Sequence, residues 1–563
     1  MFQTAPKVFV SILAWWLAAS AVADDPRPEG EPATRTVKAD KRFLHLPVNR
    51  VSPIRRVEVK MEGGQVVRDF DIRLGDGPAD FATFLDLEPF QGRTLTISSN
   101  LPATSKALEG ITLSDQLPGA RELYDEADRP RFHFTSRRGW LNDPNGLVWD
   151  KGEYHLFYQH NPYGWDWGNM HWGHATSRDL IHWEERPIAL YPHQYGDWAF
   201  SGSAVVDHKN TSGFGSPDRP AMVAAYTSTG RGECIVWSVD QGRTWTEFAG
   251  NPVVKHNGRD PRLFWHEPTR RWIMAVYEEG DGKTRAIAFH SSPDLKSWTE
   301  ESQIDGFYEC PDLFELPVKG SNPPRSLWVL SAADGQYRLG QFDGHRFTPE
   351  TPKLTLWHGD FYAAQTFSDT PDGRRIQIGW SRGIDFPGMP FNQQMTIPCE
   401  LTLRATPEGP RLCAEPVAEI SRLYASSRVW TRPSAGRDED DLGSVFPRIE
   451  AAVGVDLTIT AKGEAMGGWT ATLYGSKVNY DPAKQALNVA GLEVPLKADS
   501  DQVSIRILAD RRSLEVFGNS GRVAASRRVK REPGAPALEI TTSGASDRVK
   551  SLQIRDQTLR PAW

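Results

Sequence analysis

Three acidic residues, each followed by a short apolar run, are the strongest candidates for chemistry in this 563-residue chain. They are Asp143 in WLNDPNG, Asp260 in GRDPRLFW and Glu309 in ECPDLF. Each motif alone is also typical of an ordinary turn or strand end. Hydrolysis of a glycosidic bond needs one carboxyl group to protonate the leaving oxygen and a second to act as nucleophile or base. If the three acids converge, they supply that pair and one more carboxylate.

The spacing of these acids follows a degenerate internal repeat. Five polar residues precede apolar strands at intervals of 58, 59, 49 and 51 residues: Asp143, Ser201, Asp260, Glu309 and Asp360. Units of this length, built of short aromatic strands and Gly, Asp and Pro turns, predict the blades of a propeller. Because the first strand of every blade lines the central channel, we expect the acids to meet at one mouth of that channel.

A second phase of the same repeat consists of a Ser-x-Asp turn followed by an aromatic residue. It occurs before Trp183, Trp245 and Trp298, with a looser copy before Phe347. We interpret the three Trp residues as packing between blades rather than as ligand platforms.

The predicted fold is all-β, with several domains because 563 residues exceed what one core supports. Residues 128–420 predict a five-bladed β-propeller. Alternating apolar positions predict a small N-terminal β module over 41–112 and a C-terminal β-sandwich over 421–563. Residues 24–40, rich in Pro, Glu, Asp and Thr, predict a disordered linker.

The first 23 residues have the pattern of a signal peptide. Lys7 precedes the apolar stretch VFVSILAWWLAASAVA, which ends in small residues, so we expect cleavage after Ala23. The stretch is short for a membrane span, although an uncleaved anchor is the alternative. The prediction is a secreted or periplasmic protein whose mature chain does not insert into a membrane.

The composition favours a sugar as the ligand. The chain contains 20 Trp and 14 Tyr, and such flat side chains stack well on sugar rings. Its formal net charge is -7 with both signs interspersed, which argues against nucleic acid as a partner.

Cysteine and histidine usage predicts neither a metal site nor a cofactor. The four Cys residues form no CxxC pair, and the histidines at 155, 171, 174 and 182 lack a pattern of closing carboxylates. Cys399 and Cys413 flank a predicted hairpin, CELTLRATPEGPRLC, so they form either a disulfide or two buried free thiols.

Several longer motifs resemble those of glycoside hydrolase family 32, the invertase, inulinase and levanase family. They are WLNDPNG (140–146), GWDWGNMHWGHATSRDLIHWEE (164–185), FSGSAV (200–205), GRDPRLFW (258–265), ECPDLF (309–314) and DFYAAQTF (360–367). The resemblance is dense from 131 to 417 and weaker through the C-terminal region. It implies a five-bladed propeller with a β-sandwich and a retaining attack on β-fructofuranosides, in agreement with the repeat count.

The resemblance also implies roles for individual residues. Asp143 would be the nucleophile that attacks the anomeric carbon of fructose, and Glu309 would be the general acid and then the base. Asp260 would stabilise the transition state by holding fructose hydroxyls, with Arg259 beside it. The residues that resemble the fructose pocket of the family are Asn142, Gln159, Trp167, Ser201 and Trp380.

These roles place physical demands on the surroundings of the two main carboxyl groups. Glu309 must hold a proton near neutral pH, which requires apolar surroundings and nearby carboxylates, while Asp143 must stay ionised. Tyr308 and Cys310 flank Glu309 and are candidates for tuning it, although Cys310 is equally well explained as a buried space-filler.

The resulting hypothesis is a β-fructosidase that releases fructose from levan or inulin and from sucrose. The motifs of the sequence resemble those of bacterial levanases and exo-inulinases more than those of plant invertases. This resemblance favours cleavage at the end of the fructan chain. The alternatives are transfer of the fructosyl group to a sugar and a non-catalytic fructan-binding protein. The sequence leaves open the choice between β-2,6 and β-2,1 bonds, the role of the N-terminal module and the oligomeric state.

Overall fold

The computed structural model describes residues 32–102, 104–280, 285–431, 448–452, 454–466, 469–542 and 552–559. The predicted signal peptide, 1–23, lies outside these residues. The described chain forms two compact units. One contains the residues up to 79 together with 85–116, and the other contains 80–84 together with the residues from 117 onwards.

The first unit is built on a four-stranded antiparallel sheet of order β1-β6-β3-β4. The first seven strands are β1 (Ala33–Lys38), β2 (Phe43–Val48), β3 (Arg55–Met61), β4 (Val66–Ile72), β5 (Phe81–Asp86), β6 (Thr94–Ser99) and β7 (Thr112–Ser114). Alternate residues such as Val57, Val59 and Ile97 are buried, as the sequence pattern predicts. The predicted linker over 24–40 is wrong for residues 33–38, because they pair along their whole length with β6 and form β1.

Four hydrogen-bonded sheets in the second unit form the five blades of a propeller. Blade 1 contains β8 (Gly139–Asp150), β9 (Glu153–Asn161), β10 (His171–Ser177) and β11 (Trp183–Leu190); blade 2 contains β12 (Ala199–Val206), β13 (Met222–Ser228), β14 (Gly232–Ser238) and β15 (Thr246–Glu247). Blade 3 contains β16 (Gly258–His266), β17 (Arg271–Glu278), β18 (Ala286–Ser292) and β19 (Thr299–Asp305).

The remaining two blades share a continuous hydrogen-bonded sheet. Blade 4 contains β20 (Asp312–Lys319), β21 (Ser326–Ser331), β22 (Gln336–Phe342), β23 (Phe347–Pro349) and β24 (Leu354–Thr355). Blade 5 contains β26 (Tyr362–Thr366), β27 (Arg375–Trp380), β29 (Cys399–Arg404) and β30 (Arg411–Pro416), while β28 (Phe391–Asn392) joins blade 1 alongside β8. The first strands contact one another, β8 with β12, β12 with β16 and β26 with both β20 and β8, and the last of these contacts closes the ring.

The Ser-x-Asp repeat forms the turn between the third and fourth strands of a blade. In blade 3, Asp294 accepts the N–H groups of Lys296 and Ser297, and the indole of Trp298 donates to the carbonyl of Leu295. Trp183 and Trp245 make the same indole bond to the residue three positions earlier. All three indoles are half-buried against the hydrophobic clusters between blades, which confirms their interpretation as packing residues.

The C-terminal sandwich consists of two packed sheets. One has the order β25-β40-β39-β38-β33-β42-β31 and the other the order β32-β41-β34-β35-β36-β37. Their strands are β25 (Trp357–Gly359), β31 (Tyr424–Thr431), β32 (Arg448–Ile449), β33 (Gly454–Lys462), β34 (Trp469–Leu473), β35 (Ser476–Asp481), β36 (Ala486–Val489), β37 (Leu492–Pro495), β38 (Gln502–Ala509), β39 (Ser513–Gly518), β40 (Val523–Arg528), β41 (Leu538–Thr542) and β42 (Leu552–Leu559). Apolar side chains from both sheets, such as Ile505 and Val478, form one core. Because β25 lies between blades 4 and 5 in the chain, its parallel pairing with β40 attaches the propeller to the sandwich.

The predicted fold class, all-β with a five-bladed propeller, a C-terminal sandwich and a small N-terminal β module, is confirmed. The helices of the described residues are short 3-10 turns at Glu88–Phe90, Ala107–Gly110, Ala418–Leu423 and Gly463–Met466. None of them is long and apolar enough to cross a membrane.

All four cysteine thiols are free, and those of Cys399 and Cys413 are buried. The two residues lie on neighbouring strands, but the register places Cys413 opposite Thr402 rather than opposite Cys399. Of the two alternatives for this pair, the structure has the buried thiols.

Candidate active site

The first strand is distorted at the same end in four of the five blades. Register shifts interrupt its pairing at 141–144, 199–202, 259–262 and 362–365. Asp143, Ser201 and Asp260 lie within these bulges, and bulges re-aim side chains that a regular strand would direct to alternate faces. Asp260 and Glu309 also adopt φ values of 68° and 52°, in the left-handed region that is unfavourable for residues with a Cβ.

Asp143 receives hydrogen bonds on both oxygens. The hydroxyl of Ser201 donates to Oδ2 at 2.6 Å, and the amide of Asn142 donates to Oδ1 at 3.0 Å. Burial raises the pKa of Asp143, while these two bonds act in the opposite direction. Donors on both oxygens favour the ionised carboxylate that a nucleophile requires.

Glu309 is held by two donors from other blades. The guanidinium of Arg259 donates to Oε1 at 2.6 and 3.0 Å, and the hydroxyl of Tyr362 donates to Oε2 at 2.7 Å. The expectation of apolar surroundings for Glu309 is therefore wrong, because a cation and a phenol face its carboxyl group. Tyr308 lies beside this pair, since its hydroxyl accepts a 3.4 Å bond from Arg259.

Asp260 is close enough to the other two acids for their charges to act on it. Its Oδ2 accepts the backbone N–H of Cys310 at 3.0 Å, and the Cys310 thiol lies 3.5 Å from Asp260 and 3.7 Å from Asp143. Burial raises the pKa of Asp260 to about 7; Arg259 opposes this shift, and the neighbouring carboxylates Glu309 and Asp143 add to it. Burial also raises the pKa of the Cys310 thiol well above its usual range, so this residue acts here as a neutral hydrogen-bonding contact.

A cavity that opens to solvent lies where the first strands of the blades meet. Its lining includes residues from all five blades: Pro144, Ser201, Gly202, Asp260, Cys310, Pro311, Ala363, Ala364 and Gln365. Of the three acids, Asp260 lines this cavity. Cys310 also lines it, contacts both Asp143 and Asp260, and directly follows Glu309, so the three acids that are far apart in sequence are neighbours.

The residues with a resemblance to a fructose pocket are arranged in two groups. Asn142 binds Asp143 as described, and the indole of Trp380 packs edge-on against Tyr362, with ring centroids 6.3 Å apart, so both lie beside the acids. Trp167 is 43% exposed and packs edge-on against Trp198 with ring centroids 5.2 Å apart.

Gln159 is buried and donates to the carbonyl of Ala199 at 2.9 Å. This contact fixes the start of β12, the strand that carries Ser201. The side chain of Gln159 therefore binds the backbone of blade 2 rather than one of the three carboxylates.

Tyr362, which donates a hydrogen bond to Glu309, was missed by the sequence analysis. The motif DFYAAQTF was recognised as the opening of the fifth blade, and the first strand of a blade was expected to line the channel. This placement was the available signal, but a strand position alone does not reveal that the phenol reaches Glu309 from the neighbouring blade. Gln365 was missed in the same way, and its amide binds Leu147 and Gly202.

The four histidines that invited a metal interpretation lie apart from the carboxylates. His155 and His174 pair with each other, with a ring nitrogen of each 3.0 Å apart, and His182 bonds to Asp179 in the blade-1 turn. His171 contacts the carbonyl of Asn169. Within the described ranges, no group of three or more His, Cys, Asp or Glu is arranged to hold a metal ion.

Comparison with known protein families gives two matches along the chain. The model of the glycosyl hydrolases family 32 N-terminal domain matches residues 133–416, and the model of the family 32 C-terminal domain matches 470–556. The chain belongs to glycosyl hydrolase family 32. This family 32 chain is therefore a glycoside hydrolase, and the first match covers the propeller that carries the carboxylates.

Individual relatives agree with the family. A levanase of Bacillus subtilis is 39% identical over 493 residues, which are 78% of this chain and 72% of the relative. An extracellular exo-inulinase of Aspergillus niger is 31% identical over 514 residues, 76% of this chain and 94% of the relative. The crystal structure of an exo-inulinase from Aspergillus awamori superposes with a TM-score of 0.68 and 28% identity, covering 78% of the family 32 chain and 100% of that structure.

Proposed function

We propose that this protein is a retaining β-fructofuranosidase that removes terminal fructose from levan or inulin and also hydrolyses sucrose. The observation that carries the proposal is that Asp143, Asp260 and Glu309, from three blades, come together in a family 32 chain. Cys310, which directly follows Glu309, contacts both Asp143 and Asp260. The names levanase and exo-inulinase among its relatives support fructan as the substrate class.

In the proposed first step, an oxygen of Asp143 forms a bond to the anomeric carbon of fructose. The glycosidic carbon–oxygen bond breaks, its electron pair stays on the leaving oxygen, and that oxygen takes a proton from Glu309. Ser201 and Asn142 hold the Asp143 carboxylate in one orientation for this attack.

In the second step, water attacks the anomeric carbon from the side that the leaving sugar has vacated. Glu309 takes the proton of the water, the bond to Asp143 breaks, and fructose leaves with its β-configuration retained. Asp260 accepts hydrogen bonds from fructose hydroxyl groups, and these bonds strengthen in the transition state. Arg259 binds Glu309 and holds its carboxyl group in one orientation.

We further propose that the protein acts outside the cytoplasm. The apolar stretch that follows Lys7 has the pattern of an export signal, and a relative of this chain is named as an extracellular enzyme. Fructan polymers are too large to reach an enzyme without such export.

The test is product analysis on levan, inulin and sucrose with the wild type, Asp143→Asn and Glu309→Gln. Each variant should lower turnover by at least about a thousandfold, because each removes a group that forms or breaks a bond. Glu350→Gln, an exposed carboxylate on the same blade as Glu309, is the control and should keep full activity. Magnetic resonance of the first-formed fructose should show the β-anomer.

Several outcomes would contradict the proposal. Hydrolysis at the wild-type rate by Asp143→Asn or Glu309→Gln would remove the assigned roles. Mixed oligosaccharides from levan and inulin would replace terminal by internal cleavage. An excess of free glucose over free fructose from sucrose would identify a transferase.

A further inference from the structure

The bulge that presents Asp260 leaves backbone groups without partners on the neighbouring strand. The register between β16 and β17 shifts between Arg259 and Arg262, so the intervening peptide groups lie outside the ladder. Buried backbone groups without partners are costly, and they are normally satisfied by side chains when the ladder is broken. Something else must therefore hold this segment in place.

Two hydroxyl side chains of blade 2 take the place of the missing ladder. Thr227 Oγ1 accepts the N–H of Asp260 at 2.9 Å. Ser203 donates to the carbonyl of Pro261 at 2.8 Å and accepts the N–H of Leu263 at 2.8 Å. The bulge of blade 3 is thus closed by blade 2, and Thr227 binds the very peptide whose φ of 68° aims the Asp260 side chain.

Behind Thr227 lies a buried chain of hydrogen bonds. The Thr227 hydroxyl donates to Glu233 Oε2 at 2.9 Å, and Glu233 Oε1 lies 2.9 Å from His256 Nε2. Glu233 is fully buried on β14, directly opposite Thr227 in the register of the two strands. Its backbone also pairs with Val253 and Val254, in the segment that leads into β16.

The hydrogen bonds around Thr227 fix the direction of its hydroxyl group. The N–H of Asp260 donates to the Thr227 oxygen, so the Thr227 hydroxyl hydrogen is directed at Glu233 Oε2, which accepts the hydrogen bond. His256 holds Glu233 from its other side and so prevents the carboxylate from turning away. Thr227, Glu233 and His256 do not line the cavity described above, and their side chains bind Asp260 and one another rather than Asp143 or Glu309.

We propose that Thr227 is a positioning residue for Asp260, and that Glu233 and His256 keep its hydroxyl oriented for that purpose. The inference rests on the proposed role of Asp260 in the transition state. The Asp260 carboxylate is held at its other end by the N–H of Cys310. Loss of the Thr227 bond lets the bulge relax and moves the carboxylate off the position where it meets the fructose hydroxyls.

The first experiment compares Thr227→Val, Thr227→Ser and Thr211→Val in the full-length enzyme with sucrose as substrate. Thr227→Val keeps the size of the side chain and removes the hydroxyl, so kcat and kcat/KM should fall together by about 10- to 100-fold with KM unchanged. Thr227→Ser keeps the hydroxyl and should stay within about threefold of the wild type.

Thr211→Val is a matched control. The Thr211 hydroxyl also accepts a hydrogen bond from an N–H group, that of Trp272, and donates to a buried carboxylate, Asp207. It lies beyond the opposite end of β12 from Ser201, so its loss should lower the melting temperature without changing kcat/KM. Equal losses of activity in Thr211→Val and Thr227→Val would reduce Thr227 to a structural residue and overturn the proposal.

The second experiment is a double-mutant cycle with Asp260→Asn. If Thr227 acts through Asp260, adding Thr227→Val to Asp260→Asn should lower kcat/KM by less than about threefold, although Thr227→Val alone has a much larger effect. Fully multiplicative losses would overturn the proposal. A wild-type rate for Asp260→Asn would instead refute the role of Asp260 in the proposed function, so the two failures are distinguishable.

Glu233→Gln provides a readout should Thr227→Val not fold. Its amide has nearly the size of the carboxylate but can donate as well as accept, so the Thr227 hydroxyl is no longer fixed in one direction. We expect a loss in kcat/KM of about five- to tenfold that is absent in the Asp260→Asn background. A Glu233→Gln enzyme with wild-type kcat/KM would contradict the orienting role of Glu233.

Discussion

Two buried clusters of ionisable side chains in the second unit differ in how the backbone treats their carboxylates. The cluster between propeller and sandwich, here called the interface cluster, consists of His133, Asp510 and Glu515. Asp510 accepts the N–H groups of Arg131, Phe132 and Arg511 as well as a bond from His133. Glu515 accepts the N–H of Ile397 and lies 3.4 Å from His133.

The cluster at the cavity, here called the carboxylate cluster, consists of Asp143, Asp260, Glu309 and Arg259. Its guanidinium, that of Arg259, binds Glu309, and the N–H of Cys310 donates to Asp260. In both clusters, burial acts to raise a carboxyl pKa, that of Asp510 in one and that of Asp260 in the other. The donors decide the outcome: the pKa of Asp510 is lowered despite burial, mainly by His133 and the backbone, whereas the pKa of Asp260 is raised to about 7.

The difference separates carboxylates that stabilise the fold from carboxylates that are available to a substrate. A carboxylate with a lowered pKa contributes to stability through its charge, because the folded state favours the ionised form. A carboxylate with a raised pKa costs stability when it is ionised, and that cost is characteristic of catalytic groups. Three predictions test this distinction.

The largest expected effect comes from making the same substitution, Asp to Asn, once in each cluster. Asp260→Asn should lower kcat/KM by about a thousandfold without lowering the melting temperature, because the folded state disfavours the Asp260 charge. Asp510→Asn should lower the free energy of unfolding by about 3–5 kcal/mol and leave the kcat/KM of the folded enzyme unchanged. Thermal melts and steady-state kinetics on both variants measure these effects. If either variant showed the effect expected of the other, the distinction between the two clusters would be wrong.

The next effect is a dependence of stability on pH that arises from His133. Burial lowers the pKa of His133, but Asp510 and Glu515 outweigh burial and raise it from 6.5 to about 9. The resulting stabilisation is present below pH 6.5 and is lost as the pH rises through 9, with a total of about 3 kcal/mol. Urea unfolding between pH 6 and pH 10 should show this decline in the wild type and a flat response in His133→Gln.

His160→Gln is the control for this pH dependence. His160 is also buried, but burial lowers its pKa to about 4, so it does not titrate between pH 6.5 and pH 9 in the folded state. Its replacement should leave the decline intact. A wild-type stability that stayed constant between pH 6 and pH 10 would show that His133 is not charged in the interface cluster.

The smallest of the three effects concerns the donor from Tyr362 to Glu309. Tyr362→Phe should lower kcat/KM by about tenfold, because one oxygen of Glu309 loses the hydroxyl that orients it. Tyr337→Phe is matched to it, since the buried Tyr337 hydroxyl accepts the N–H of Leu412 away from the cavity. We expect Tyr337→Phe to change stability alone; unchanged kinetics in Tyr362→Phe would remove Tyr362 from the orienting contacts of Glu309.

The propeller was predictable because its signal is local and repeated. Each blade opens with a polar residue before an apolar strand, and the five openings predicted from the spacing coincide with the starts of β8, β12, β16, β20 and β26. The linker over 24–40 was wrong at β1 for the opposite reason. Its composition reports polarity, whereas the strand exists because Val37 and its neighbours pair with β6, more than fifty residues away.

The surroundings of the acids were beyond the reach of sequence reasoning. Arg259 was expected to lie beside Asp260, its neighbour in sequence, but the sequence did not reveal that its guanidinium also binds Glu309 and Tyr308. Thr227 and Tyr362 reach Asp260 and Glu309 from blades 2 and 5. Such contacts depend on the angles between blades and on bulges, which no periodicity in the chain records.

The sequence by itself determined which residue types begin each blade, how many blades there are and that acidic residues from several of them face one channel. Strand alternation and repeat spacing are properties of neighbouring residues, so they are written directly in the chain. The tertiary structure alone decided which donors each carboxylate receives and therefore which of them holds its charge. Protonation depends on burial and on partners within a few ångströms, and those are brought together only when the ring of blades closes.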